Sequence, residues 1–333
     1  MKKETYMNRN NKITKIMFGA LVATLSHGAM AQAGGESIAV FTKNQTNPYF
    51  QVVRKGAEAA ARQLGAKVIH YIPTKPDSIP EQTSQIDDVI IKRPSAVVLI
   101  PVNYKAMSAG VEKLNSAKIP VVTVTDRTEA GKVVSFVGSS DHQLGQTTGR
   151  YLLKAMGGKG NVIILEGVKG SLTSADRVRG FMDALKEFPN VKLLSSQPGN
   201  FLRLQALQVT ENLLQSHSAI DGVMAANDAM ASGAIEALNG ANRKSLVVGI
   251  NGTQEAIDAI KAGTMLATGD YNGFLQGCVG TMAAIRAVRG QPVPSEVVFS
   301  ATVVDQSNYK KLDIPLDTRT CPAWDEALKS AGI

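Results

Sequence analysis

Histidine, cysteine and aromatic residues are scarce in this 333-residue chain, and each shortage removes a class of chemistry. The four histidines are His27, His70, His142 and His217. No Cys/His spacing matches a metal site, and no nucleophile accompanies His70, His142 or His217, so these three read as solvated or core residues. Neither a G-x-S-x-G elbow nor an H-E-x-x-H pair occurs. The glycines that would follow the first strand of a dinucleotide-binding unit are missing. Gly157-Gly158-Lys159-Gly160 precedes a strand instead, and no G-x-x-x-x-G-K-[ST] is present. Together these absences argue against an enzyme and against a bound cofactor. No basic cluster is interleaved with aromatics, so nucleic acid is not an expected partner. No apolar run reaches the roughly 20 residues of a membrane-spanning helix. The two cysteines, Cys278 and Cys321, can pair in an oxidising compartment, or Cys278 can stay a buried thiol in its apolar helix pattern. Spacing leaves both open.

What is present begins with a leader. Five basic residues against Glu4 precede the apolar run Ile16 to Leu25 and the small residues around Ala29, Ala31 and Ala33, so half of the net charge of +8 lies before residue 34. That order is the signature of a secretory signal cleaved after Ala31 or Ala33. No cysteine follows the apolar run, so a lipid anchor is not expected. The mature protein is expected to be soluble in a bacterial periplasm. A retained N-terminal anchor is the competing reading.

From Ser37 onward short Val/Ile-rich runs alternate with amphipathic segments. In the first half, strands at Ser37 to Lys43, Lys67 to Ile72, Ala96 to Val102, Val121 to Thr125 and Val133 to Gly138 enclose helices at Pro48 to Leu64, Ile79 to Ile91 and Lys105 to Ala117. The rhythm restarts with a helix at His142 to Met156 and runs on to a last strand at Val297 to Val304 and a short helix at Ala323 to Ser330. Strands without polar alternation are those of a sheet covered on both faces. The pattern predicts an α/β protein of two doubly wound parallel-sheet halves. No low-complexity linker separates them.

Polar and aromatic residues recur where the strands end, the edge at which open parallel sheets bind ligands. The first strand leads into Lys43, Asn47, Tyr49 and Phe50, the third into Asn103, and the fourth into Thr125, Asp126 and Arg127. In the second half Glu166 and the loop Lys169 to Ser174 precede Asp176, Arg177 and Arg179. Later strand ends lead into Phe201, Asn227, Asn251, Asp270 and Tyr271. Amides, carboxylates and guanidinium forks serve several hydroxyls of one small molecule, and rings cover the C–H faces of a sugar. The plainer reading is also open: Tyr49 and Phe50 can pack helix on sheet, and Asn200, Asp228 and Thr253 read best as helix caps.

The segments Asn47 to Phe50 (NPYF), Ser174 to Phe181 (SADRVRGF), Ser196 to Phe201 (SQPGNF), Ala225 to Ala234 (AANDAMASGA), Val247 to Thr253 (VVGINGT) and Leu266 to Tyr271 (LATGDY) resemble, in order, the ribose-binding-protein group of periplasmic binding proteins. The resemblance implies a type I fold of two lobes joined by three crossing segments, near Gly138-Ser139, Asp270 to Asn272 and Ser300 to Val303. It implies one lobe of residues 34–138 and 272–303 and another of 139–271 and 304–333. A small ligand would be captured by hinge closure and delivered to the permease subunits of an ABC importer by a monomeric protein.

By position, Asn47, Tyr49 and Phe50 match the family's first-lobe amide and stacking rings. Arg179, Phe201 and Asn227 match its second-lobe guanidinium, ring and amide. The chain departs from the ribose pattern in several places. Lys43 stands where a small hydroxyl residue is usual, Pro101 replaces an amide that Asn103 can supply, Asn251 replaces an aspartate, and Tyr271 replaces a glutamine. Asp126-Arg127 is offset by one residue, which makes Thr125 an alternative occupant. A monosaccharide, a sugar alcohol and a sugar acid all fit these changes. Competing readings are a ligand-sensing partner of a chemotaxis or two-component receptor, a repressor-type effector domain and a sugar-acting enzyme. A repressor is disfavoured by the leader, which stands where a DNA-binding headpiece would.

Overall fold

The computed structural model describes residues 35–333; the expected leader over 1–33 and its cleavage site lie outside them. The first lobe opens with β1 (Ser37–Phe41), α1 (Pro48–Leu64), β2 (Lys67–Tyr71), α2 (Ile79–Lys92), β3 (Ala96–Leu99), α3 (Ser108–Ser116), β4 (Val121–Val124) and β5 (Ser135–Ser139). The second contains α4 (Asp141–Ala155), β6 (Lys159–Glu166), α5 (Leu172–Lys186), β7 (Asn190–Pro198), α6 (Arg203–Ser216), β8 (Gly222–Ala225), α7 (Asp228–Gly240), β9 (Leu246–Ile250), α8 (Gln254–Lys261) and β10 (Ala267–Asp270). Then come α9 (Gly273–Val288), β11 (Glu296–Phe299), β12 (Thr302–Val304) and α10 (Trp324–Ser330). Two six-stranded sheets result, ordered β11-β5-β4-β3-β1-β2 and β12-β10-β9-β8-β6-β7. Only β12 runs antiparallel to its neighbour among these pairings.

Local signals set the helix starts that aim side chains at the groove between the lobes. Asn47 caps α1 with its side chain and Pro48 occupies the first turn, where no N–H is needed. Ser140, Ser171 and Thr253 cap α4, α5 and α8. Of the three residues read as caps, Thr253 acts as one. The cap of α7 is Asn227 instead, while Asp228 lies inside, accepting from Thr253 and Thr268. Asn200 sits in a left-handed turn and its amide donates to Gln205. Strands β3, β4 and β8 are buried throughout, as helices on both faces require.

The chain passes between lobes at Ser139–Asp141, at Tyr271–Asn272 and at Ser300–Ala301. The last of these divides the single strand expected over 297–304 into β11 of the first sheet and β12 of the second. The assignment of 304–333 to the second lobe needs correction. Tyr309–Lys311 packs on α8 of that lobe, but α10 packs on α9 of the first. There Cys321 is disulfide-bonded to Cys278, in a cluster with Ala59, Ala60 and Met282. The tail is thus a further strand of chain across the hinge.

Helices α4 and α5 meet glycine to backbone. A methyl on Gly145 would strike the Arg177 carbonyl oxygen, and one on Gly180 would strike that of His142. Backbone cannot rotate aside, so Gly145→Ala is expected to destabilise by about 1–3 kcal/mol, read as a lower urea midpoint.

Candidate functional site

A space of about 610 Å³, counting the part open to solvent, lies between the strand ends of the two lobes. From the first lobe Lys43, Asn44, Asn47, Tyr49, Phe50, Asp77, Asn103, Thr125 and Asp126 line it. From the second come the loop Val168–Ser171 with Thr173, Arg177, Phe201, Asn227 and Asn251; Tyr271 enters from the crossing segment. Eleven of the fourteen residues expected at the site are in this lining.

Several polar groups do two jobs. Asn47 Oδ1 accepts from Tyr49 N at 3.0 Å, and Asn103 Oδ1 accepts from the backbone of Lys105 and Ala106. Asn227 Oδ1 accepts from Met230 N at 2.9 Å while its Nδ2 donates to the Phe201 carbonyl at 3.2 Å. Capping and ligand-facing readings are therefore compatible for Asn47 and Asn103, whose caps use the amide oxygen alone, whereas Asn227 has both ends engaged and keeps one Nδ2–H for a ligand. The Tyr49 hydroxyl is engaged below the pocket floor, 2.8 Å from the Thr125 hydroxyl and donating to Gln276 at 3.0 Å. Burial pushes its pKa above the ordinary tyrosine range. Tyr49 is thus at once a packing residue and a wall, with Phe50 edge-on at 5.4 Å and Tyr271 at 5.2 Å.

The buried guanidinium is Arg177, two residues before the expected Arg179. Helix α5 buries Thr173, Ser174, Arg177, Gly180, Phe181 and Ala184, a stripe at three- and four-residue spacing. Arg179 falls on the other face, where its side chain is 61% exposed and pairs with Asp176 at 3.1 Å. Arg177 is 2% exposed. Its Nη1 donates to the Ala226 carbonyl at 2.7 Å and to Asn251 Oδ1 at 3.2 Å, and its plane lies 4.3 Å from the centre of the Tyr271 ring.

Arg127 and Asp270 are likewise placed outside the pocket. Past the left-handed turn at Thr125, Asp126 faces inward and Arg127 outward. Arg127 stacks 3.6 Å from the centre of the Phe136 ring and pairs with Glu296. Asp270 precedes Tyr271 on an extended stretch, so the two point to opposite sides. Its Oδ1 accepts from Asn272 N at 2.7 Å, and the residue lines a separate cavity with Phe274, Leu312 and Arg319. Asn44, Asp77, Thr173 and Arg177 are lining residues not chosen from sequence.

The buried cations of the pocket are internally matched. Lys43 Nζ is 2.7 Å from Asp126 Oδ2. Burial opposes its charge, yet Asp126 and Asp77 outweigh that and raise its pKa. Arg177 behaves alike: burial lowers its pKa, but Asp141 prevails and raises it. Burial raises the pKa of Asp77 despite Lys43. One bond joins the lobes across the groove, from the Thr173 hydroxyl to Asp126 Oδ1 at 2.6 Å. The backbone is strained here too: Asp77, Thr125, Phe201 and Asn251 have φ of 54, 67, 61 and 145°. For a β-branched threonine that is a true outlier, of the kind that collects at binding sites. Among the described residues no group of three or more His, Cys, Asp or Glu could hold a metal ion.

Residues 38–292 match the family model described as periplasmic binding protein domain. The ribose import binding protein of Haemophilus influenzae is 31% identical over 296 residues, 89% of this chain and 99% of that protein. A D-apiose import binding protein of Paraburkholderia graminis is 29% identical over 303 residues, 90% of this chain and 96% of that one. Among solved structures, an ABC transporter periplasmic solute binding protein from Actinobacillus succinogenes with bound D-allose superposes with a TM-score of 0.80 at 32% identity, covering 83% of this chain and 99% of that one.

Proposed function

Because the chain belongs to the periplasmic binding protein family, we propose that it captures one neutral monosaccharide or polyol in the groove and hands it to the permease of an ABC importer, without catalysing a reaction. The observation that carries the choice of ligand is the pairing of both buried pocket cations. Lys43 is held by Asp126 and Arg177 by Asp141, so no uncompensated positive charge is buried in the groove to meet a carboxylate; Lys169, the third cation of the lining, is exposed on its loop. Hydroxyls, which donate and accept, suit the remaining amides and the free edges of these pairs. Phe50 and Phe201 line the space from opposite lobes and supply faces for C–H groups. Relatives named for ribose and D-apiose import, and a solved relative holding D-allose, support this class.

Closure follows from the same geometry. A ligand that touches Asn47 and Phe50 on one side and Arg177 and Asn227 on the other binds the closed form better than the open one and shifts the balance between them. The Asp126–Thr173 bond adds a direct lobe-to-lobe contact to that form. The protein would act in the periplasm as a monomer, its leader removed after Ala31 or Ala33.

A thermal-shift panel tests the reading. D-Ribose, D-allose, xylitol and myo-inositol stand against D-gluconate and D-galacturonate. A bound ligand at 100 times its Kd stabilises by about 2.7 kcal/mol, a visible rise in Tm. At least one neutral compound is expected to shift and the acids are not. A shift with the acids alone would overturn the charge argument.

A further inference from the structure

We propose that Asp141 is a positioning residue for this site: it aims Arg177 into the groove and fastens it to the two chain segments that bend when the lobes move. The inference rests on the groove being the ligand site. Asp141 is the first residue of α4, directly after the crossing at Ser139–Asp141. Arg177 Nε donates to its Oδ1 at 2.8 Å. The Tyr271 hydroxyl, from the second crossing, donates to its Oδ2 at 2.9 Å. Both carboxylate oxygens are thus occupied, and Asp141 is not part of the pocket lining. Its influence on a ligand runs through Arg177.

The arrangement links grip to hinge. The Arg177 guanidinium is fixed on one edge by Ala226 and Asn251 of its own lobe. Its other edge is fixed by a carboxylate at the root of one crossing, which also holds the ring of the other. Rotation of either crossing changes the seat of the guanidinium. A guanidinium held on its Nε edge keeps its remaining N–H groups in one plane, which is the property that makes the fork selective.

Protonation offers a handle on this link. The groups facing Asp141 are Arg177 on α5, Tyr271 on the crossing, Asp126 after β4, Tyr49 on α1 and Lys43 after β1. On its own helix, His142 is engaged with Asp183 at 2.8 Å. Burial pushes the Asp141 carboxyl up to about 6 against the pull of Arg177. A folded-state pKa above the unfolded one contributes stability that is present at low pH and lost as pH rises through about 6. Asp228 and Asp270, both pushed by burial to about 6, act in the same sense. Affinity should run the other way, since an uncharged Asp141 holds Arg177 less firmly.

The experiment compares the full chain with Asp141→Asn, using the Arg177 Nε–H resonance in the ligand-free protein, assigned by its loss in Arg177→Lys. In the wild type this resonance is expected to titrate with a midpoint near 6. In Asp141→Asn it should move and stop titrating. Affinity for D-allose is expected to drop about tenfold to a hundredfold in the variant, the worth of one charge-assisted hydrogen bond. Wild-type affinity should fall between pH 7 and 5 while Tm rises. A merely structural residue would move affinity and stability together, and that result overturns the proposal. So does an Arg177 resonance indifferent to Asp141→Asn. If no compound of the panel binds, the functional reading fails and the resonance alone decides this one.

Discussion

Arg177→Lys is expected to weaken ligand binding by about 2–5 kcal/mol, whereas Arg179→Ala should leave the Kd unchanged. The two residues sit two positions apart on α5, yet one is 2% exposed and the other has a side chain 61% exposed. Arg177 serves Asp141, the Ala226 carbonyl and Asn251 at once. An ammonium has no planar fork and cannot meet acceptors in those directions together. Lysine nevertheless keeps a positive charge beside Asp141, so the variant should fold. Arg177→Ala is the harsher change, because it leaves Asp141 buried without its counter-ion, a loss of about 3–5 kcal/mol in stability. Titration calorimetry with whichever neutral sugar shifts the melting curve separates these outcomes. Equal losses for Arg177→Lys and Arg179→Ala would place the grip on a different face of the helix.

The difference between Arg177 and Arg179 was available in the sequence. Counting back from Phe181 and Ala184, both apolar, the buried stripe passes through Arg177 and misses Arg179. Position within a motif pointed to one arginine and helical period to the other, and the period describes the packed helix. Sheet alternation carried similar information for Asp270 and Tyr271. Strand rhythm was the most legible feature, because fully covered parallel strands read as unbroken Val/Ile runs. The division of the strand over 297–304 was hidden from the strand pattern, since Ser300 and Ala301 carry no breaker; only the family resemblance put a crossing near Ser300 to Val303. Asp77 and Asp141 were hidden for another reason. Each gains its meaning from a residue far along the chain, Lys43 for one and Arg177 for the other. The Asp141–Tyr271 contact likewise exists only once three distant segments have met.

Replacing Cys278 and Cys321 with alanine is expected to lower stability and to widen the range of lobe separations in the ligand-free protein. Loop-closure entropy over a 43-residue separation gives about 4 kcal/mol. Other anchors of the tail reduce the observed loss below that figure. Those anchors lie on both lobes. On the second, Tyr151 donates to Asp305 at 2.7 Å, and Lys261 pairs with Asp313 at 3.0 Å. On the first, Lys55 pairs with Asp317 at 3.1 Å, and Arg286 covers the Trp324 ring at 4.7 Å. The stretch between them is folded back on itself, since Arg319 donates to the carbonyls of Leu312 and Ile314. A connection this short resists separation of the lobes, and the disulfide is the only covalent fastening at its first-lobe end among the described residues. Lys55–Asp317 is an exposed pair of small worth, so it cannot replace the disulfide under load. Denaturant unfolding measures the stability arm, and small-angle scattering of the ligand-free protein measures the second through the radius of gyration. A more open average also means a smaller closed fraction, which raises the apparent Kd in proportion. An unchanged radius of gyration with lowered stability would reduce the tail to a clasp on α9, with no part in setting how far the groove opens.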